Sequence, residues 1–270
     1  MLESDKVFAG SIPENYDRYI VPLIFERFAA DLAQRAASLS PGAVLEIAAG
    51  TGVVTRALAP KLSQDARYVV TDLNPTMLDY AASRQAPDSR IEWRQADALA
   101  LPFENAAFDL VCCQFGAMFF PDRLLAYREA KRVLKPGGHF LFNIWDRIEE
   151  NVFADDVTNA LAKFFPDDPP RFLARTPHGY HDTALIRSEL EDAGFSRVAI
   201  ETKAERSSAS SPRLAAIAYC QGTPLRNEIL ARDAGKLEAA TDCAASAIAD
   251  KHGSGAVAAK IQAHVVLAAV

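Results

Sequence analysis

Short apolar runs alternate with amphipathic stretches through the first half of the chain. Residues 43–48 (Ala-Val-Leu-Glu-Ile-Ala) read as a strand and 53–62 as a helix. Residues 67–72 form a second strand. A helix over 75–83 follows, with Pro75 at its first turn. Residues 90–94 form a short strand and 108–113 (Phe-Asp-Leu-Val-Cys-Cys) another. A helix over 121–134 ends at Lys135-Pro136-Gly137-Gly138, and 139–145 (His-Phe-Leu-Phe-Asn-Ile-Trp) is the next strand. Strands alternating with helices predict right-handed crossovers and a mostly parallel sheet covered on both faces.

The second half is less regular. Residues 15–38 predict one or two helices ahead of the first strand, and 149–165 a further helix. The Pro- and Asp-rich stretch 166–177 reads as a loop. Asp182 is an N-cap signal for a helix over 182–193, closed by Gly194. Residues 198–206 alternate like a half-exposed strand. Ser211-Pro212 opens a helix that stops near Gly222, and 225–249, rich in Ala, Glu, Leu and Lys, is helical. His264 to Val270 is a closing strand.

Composition narrows the class. Half of the 270 residues are hydrophobic and 24% are charged, an ordinary globular balance, and the net charge is −6. Such an acidic chain lacks the basic face that nucleic-acid binding needs. The charged start, Met-Leu-Glu-Ser-Asp-Lys-Val-Phe, has no apolar h-region, and no run reaches the ~18 apolar residues of a membrane span. The expected setting is cytoplasmic. Cys112, Cys113, Cys220 and Cys243 lack zinc spacing and read as reduced core thiols.

The chemistry concentrates where the first strand meets its helix. Gly50 and Gly52 allow close backbone approach and expose N–H groups at a helix N-terminus. Asp72, twenty residues after Gly52, ends the next strand, where a carboxylate can accept hydrogen bonds from both hydroxyls of a ribose. Asp97 follows the third strand. All three positions lie at the carboxyl ends of strands, where open α/β sheets bind ligands. A nicotinamide-binding dehydrogenase is the main rival. Its third glycine is missing, because Gly52 is followed by Val53, Val54 and Thr55. Glu46 would repel a pyrophosphate and suits a cationic ligand.

Glu46-Ile47-Ala48-Ala49-Gly50-Thr51-Gly52 resembles the first motif of the class I S-adenosylmethionine-dependent methyltransferases. Thr71-Asp72-Leu73-Asn74 resembles their second, and 95–103 their third. Phe108-Asp109-Leu110-Val111 with Gln114-Phe115 resembles their fourth, and Leu134-Lys135-Pro136-Gly137-Gly138 their turn before the fifth strand. The likeness covers 41–146 well and is greatest to the ubiquinone/menaquinone C-methyltransferase group. It implies a doubly wound seven-stranded Rossmann-like sheet of order 3-2-1-4-5-7-6, its last strand antiparallel. It further implies that the backbone around Ala48, Gly50 and Gly52 contacts the methionine end of the cofactor. Asp72 would hold the ribose, Leu73 and Met77 would pack on the adenine, and Asp97 and Ala98 would bind its edge. Gln114 would lie near the sulfonium. Met77 reads equally as a helix core residue. Ala48 stands where the family has its first glycine, a modest change if φ is negative there.

Methyl transfer is an in-line displacement on an already activated carbon, so alignment is the main demand and a base is needed only for a protic nucleophile. After the fourth strand, Cys112-Cys113-Gln114-Phe115-Gly116 lacks the Asn/Asp-Pro-Pro-aromatic motif of nucleobase amino-methylating enzymes. It also lacks the acids of a catechol-type Mg²⁺ site, so no metal is expected. Candidate bases are His178 and His181, which flank Tyr180. The alternative is that His181 and Asp182 cap a helix. Tyr16 and Tyr19 lie in the segment that covers the cofactor in similar enzymes, or simply pack a helix on the sheet. Phe115, Met118, Phe119 and Phe120 provide a substrate wall or a helix anchor.

The expected organisation is a single domain. It comprises N-terminal helices (1–40), a cofactor-binding core (41–146), cap insertions (147–182 and 211–255) and a last strand (263–270). The expected function is metal-independent methyl transfer from S-adenosyl-L-methionine, released as S-adenosyl-L-homocysteine, to a small, largely apolar acceptor. O- or C-methylation leads. The alternatives are a cofactor-binding protein without catalysis, or N-methylation of an amine or phospholipid headgroup. The expected partners are that small-molecule acceptor and, for a homodimer rather than a monomer, a second copy; neither nucleic acid nor a membrane span enters. Tyr16, together with Glu46, belongs to the expected cofactor set; Tyr19, Phe115, Phe119 and Tyr180 belong to the expected acceptor set.

Overall fold

The computed structural model describes residues 12–270, with side chains from Glu14 onward. The leader reading, made on the first eight residues, lies outside the described part. Seven strands make one sheet: β1 (Ala43–Glu46), β2 (Arg67–Asp72), β3 (Ile91–Gln95), β4 (Phe108–Gln114), β5 (Leu134–Trp145), β6 (Arg197–Ala209) and β7 (Val257–Ala269). Their order is 3-2-1-4-5-7-6. β1 pairs in parallel with β2 and β4, β2 with β3, and β4 with β5. Val270 N–H donates to Gly138 O and Asp146 N–H to Gln262 O, so β7 runs antiparallel to β5. The resemblance implied this order and this reversal.

The chain divides into two compact units. One comprises 27–144, 181–203 and 263–270; the other comprises the remaining described residues, 12–26, 145–180 and 204–262. In the first, the central strands are apolar on both faces because helices cover both faces. Val44, Leu45, Tyr68, Val70, Leu110 and Cys112 are buried there with Leu32, Leu58 and Leu78 of the flanking helices. β3, at the edge, is largely exposed.

In the second unit, the helix Pro212–Gly222 packs along the helix Leu237–His252. Ala215, Ala216, Ala218, Ala240 and Ala244 are buried, and their small side chains permit close helix approach. Glu228 is buried, and its carboxylate accepts from the N–H groups of Arg171 and Phe172 and from Arg175 Nη2. That caps the short helix Phe172–Arg175, which sits inside the stretch expected to be a loop.

Several boundaries move for local reasons. The helix expected over 225–249 is two, Leu225–Arg232 and Leu237–His252, because Asp233 turns the chain by accepting from Gly235 N–H. The last strand starts seven residues before His264. Its inward positions Val257, Ala259, Ile261 and Ala263 alternate, yet small alanines weaken that signal. Lys135-Pro136-Gly137-Gly138 lies within β5, where the pairing with β4 shifts register. Residues 12–38 wind as α, then π over Tyr16–Phe25, then α over Glu26–Ser38. No described helix is long and apolar enough to cross a membrane.

Candidate functional site

The Asp72 carboxylate pins the turn after β1. Gly50, at φ +57°, donates its N–H to Asp72 Oδ2 at 2.8 Å. Asp72 Oδ1 accepts from Asn74 N–H, also at 2.8 Å. Burial raises the Asp72 pKa, and the N–H groups of Asn74, Gly50 and Leu73 oppose that shift. Leu73 carries 53% exposure although it is a large hydrophobe beside a half-buried carboxylate. Its carbonyl is fixed by Gln95 Nε2 at 3.0 Å.

Gly52, at φ +78°, opens the helix Val53–Leu58. A Cβ there would stand 2.9 Å from Ala81 Cβ, so its absence lets the turn sit against the helix Pro75–Arg84. A Cβ at Gly50 would meet only Met77 Cε, at 3.9 Å, so the space there is open and bordered by an apolar side chain. Met77 is itself buried. Asp97 is exposed and accepts from Leu99 N–H at 2.9 Å, while Ala98 is buried.

Ala48 corrects an expectation. Its φ is +53°, not negative, so an L-residue occupies the left-handed region that favours glycine. Its Cβ lies against Gly116, where an added Cβ would come within 2.6 Å of it and 2.7 Å of Cys113 Sγ. The turns after β1 and β4 therefore interlock, and glycine is required on the β4 side.

Glu46 is 1% exposed. Its Oε2 accepts from Thr55 Oγ1 at 2.8 Å and from the Tyr68 hydroxyl in a short bond. Burial pushes its pKa up to about 7 against those two hydrogen bonds and the charge of Arg56. Sequence reasoning missed Thr55 and Tyr68. Nothing in a β-strand pattern marks Tyr68 as a hydrogen-bond donor rather than an ordinary core aromatic.

Gln114 ends β4. Phe115 follows at φ +50°, with its N–H donating to Asn143 O and Oδ1, and its ring meeting Phe28 edge-on at 5.5 Å. Phe115 is buried; Phe119, on the short turn Ala117–Phe119, is half-buried. His181 is half-buried ahead of Asp182. The following helix is capped by Asp182, whose Oδ1 accepts from the N–H groups of Ala184 and Leu185.

The other unit holds Tyr16, Tyr19, His178 and Tyr180. Tyr16 stacks on Phe25 at 5.3 Å, Phe25 tilts on Trp145 at 5.8 Å, and Trp145 on His178 at 6.0 Å. This row joins two of the expected residues through two that the sequence did not single out. His178 is buried, and its Nδ1 lies 2.9 Å from Asp146 O. A carbonyl only accepts, so Nδ1 carries the hydrogen. Asp146 is held by Gln262 Nε2 at 2.6 Å. Tyr180 is buried, and the Arg18 guanidinium stands 5.1 Å over the Tyr19 ring.

Comparison with known proteins meets this geometry. The family model of a methyltransferase domain matches residues 45–142. The ubiquinone/menaquinone biosynthesis C-methyltransferase of Bartonella tribocorum is 32% identical over 213 residues, covering 72% of this chain and 81% of that protein. The enzyme of the same description from Ectopseudomonas mendocina is 30% identical over 188 residues, covering 65% and 72%. Among solved structures, a Haemonchus contortus phosphoethanolamine N-methyltransferase with bound S-adenosylhomocysteine superposes with a TM-score of 0.62 at 15% identity, over 100% of this chain and 61% of its own, a likeness of fold. The sheet order, the carboxylate-pinned glycine turn and identities of 30% or more across most of those relatives make one conclusion: this chain belongs to the class I S-adenosylmethionine-dependent methyltransferases.

Proposed function

We propose that the chain transfers a methyl group from S-adenosyl-L-methionine to carbon or oxygen of a small, largely apolar, flat acceptor, without a metal. The Gly50–Asp72 bond carries the reading, because it fixes an open, left-handed turn beside an acceptor carboxylate. Asp72 has remaining lone pairs for the two ribose hydroxyls. Leu73 and Met77 supply apolar surface for the adenine, with Asp97 and Ala98 at its edge. The turn of Ala48, Gly50 and Gly52 faces the methionine end, with Glu46 beneath it, and Gln114 belongs to the same site.

When bound, the cofactor supplies a methyl carbon already activated by its sulfonium. The protein's share is orientation and exclusion of water. Tyr16 belongs to an aromatic row with Phe25, Trp145 and His178. Tyr19, Phe115, Phe119 and Tyr180 are the further acceptor candidates. His178, its ring oriented by the Nδ1–H bond to Asp146 O, is the first candidate to take the proton that a phenol or ring carbon gives up; His181 is the second. The C-methyltransferase relatives favour a quinol-like ring.

The test is turnover. Purified protein with S-adenosylmethionine, EDTA and a panel of phenols, hydroquinones and amines should form S-adenosylhomocysteine with a flat hydroxylated ring. Calorimetric binding of S-adenosylmethionine with no turnover on any acceptor would instead mark a binding protein. Product with amines alone would overturn the O/C assignment.

A further inference from the structure

Three strands and a helix meet at one carboxyl group. Glu46 ends β1 and is fully buried. Two hydroxyls converge on its Oε2: Thr55 Oγ1 from the helix after the glycine turn, and the Tyr68 hydroxyl from β2. Its backbone is fixed as well, since Glu46 O accepts from Thr71 Oγ1 at 2.8 Å and the next N–H, that of Ile47, donates to Cys112 O at 2.9 Å. The remaining titratable or charged groups around it are Arg56 on the helix, Asp72 on β2, and Cys112 and Cys113 on β4.

These groups pull in opposite directions. Burial, Asp72 and the low-dielectric strands favour the neutral carboxyl. The two hydroxyl donors and Arg56 favour the carboxylate, and hydrogen bonds to a charged acceptor are the stronger kind. The result is a carboxyl poised near neutrality, at about 7, directly before the turn. Tyr68 is fully buried, and its ring packs whether or not it carries a hydroxyl, so that hydroxyl has a role separable from filling the core.

We propose that Tyr68, seconded by Thr55, is a positioning residue for the cofactor site, holding Glu46 in its charged form beneath the glycine turn so that cofactor affinity follows the charge on that carboxyl. The inference rests on the reading that S-adenosylmethionine occupies this turn. The cofactor's sulfonium and ammonium are cationic, so ionised Glu46 attracts it and neutral Glu46 does not.

Calorimetry of S-adenosylmethionine and S-adenosylhomocysteine binding from about pH 5.5 to 8.5 tests this on the wild type, Tyr68→Phe, Thr55→Val and Glu46→Gln. Wild-type affinity should rise with pH and level off. In Tyr68→Phe the inflection should move up by about half to one pH unit, with a roughly twofold to tenfold loss of affinity at neutral pH. Thr55→Val should move it the same way, which keeps the test open should Tyr68→Phe fail to fold. Glu46→Gln should lose the inflection. Wild-type binding with an inflection that neither hydroxyl variant moves would overturn the role of Tyr68 and leave the cofactor reading intact. A wild type that binds neither ligand would end the cofactor reading, and the inference with it.

Discussion

Tyr16 lies against Phe25, ring centroids 5.3 Å and planes 29° apart, nine residues further along the same helix. At 3.6 residues per turn, nine residues are two and a half turns, which would put the rings on opposite faces. The segment Tyr16–Phe25 is π-wound instead, and Glu26 N–H donates to Val21 O, five residues back. Pro22, lacking an N–H, sits inside it. The wider winding returns Tyr16 to the side of Phe25. A double-mutant cycle with Tyr16→Leu and Phe25→Leu, read by chemical denaturation, should give a coupling of about 0.5–1.5 kcal/mol. A coupling near zero would show that the two rings do not stack in solution.

Asp72→Asn should weaken S-adenosylmethionine binding by roughly 1.5–3 kcal/mol. The amide offers one acceptor oxygen where the carboxylate serves both Gly50 and Asn74, and it turns an N–H group toward one of those donors. Unchanged calorimetric affinity would remove Asp72 from the site.

The interlocked turns predict opposite signs at two neighbouring positions. Ala48→Gly should stabilise by roughly 0.5–1 kcal/mol, since relief of the left-handed alanine exceeds the added unfolded-state entropy. Gly116→Ala should destabilise by at least about 2 kcal/mol, as its Cβ meets Ala48 Cβ and Cys113 Sγ. In the double variant part of that loss should return. Thermal unfolding reads all three, and a Gly116→Ala protein as stable as wild type would contradict the contact.

Glu46 sets a pH dependence of stability. Its folded pKa, about 7, lies above the ordinary glutamate value of 4.5, so between those values the folded chain binds more protons than the unfolded one. Its contribution is therefore full below about pH 4.5 and is lost as pH rises through about 7. Glu46→Gln should lack that component and unfold with a flatter pH profile over this window, a difference of roughly 1–3 kcal/mol. Parallel profiles for the two proteins would place the Glu46 carboxyl outside this balance.

His178→Ala should reduce turnover by about 10²-fold or more while leaving S-adenosylhomocysteine affinity within about twofold. His178→Gln should behave alike, because an amide cannot accept the proton. Equal loss of cofactor affinity would assign His178 to packing against Trp145 and Asp146 instead of to catalysis.

Much of the local geometry at the candidate site was legible because it depends on near neighbours in sequence. Gly50, Gly52, Asp72 and Asp97 each sit where a strand gives way to a turn, and apolar periodicity alone locates those junctions. The helix caps at Asp182 and Ser211 are equally local, one side chain bonding N–H groups two or three residues on. The alternation of strands and helices, with its right-handed crossovers, constrains the sheet for the same reason. Folding in three dimensions settled what depends on distant partners or on backbone state. The sign of φ at Ala48 follows from the fit of one turn against Gly116, which no composition reveals. Tyr68 becomes a donor only because β2 pairs with β1 in one register. His178 gains a fixed tautomer from a carbonyl 32 positions away, and Asp146 is bound by Gln262, 116 positions away. Propensity and pattern act over a few residues, whereas burial, hydrogen-bond partners and the pKa values they set come from contacts made only when the chain closes on itself.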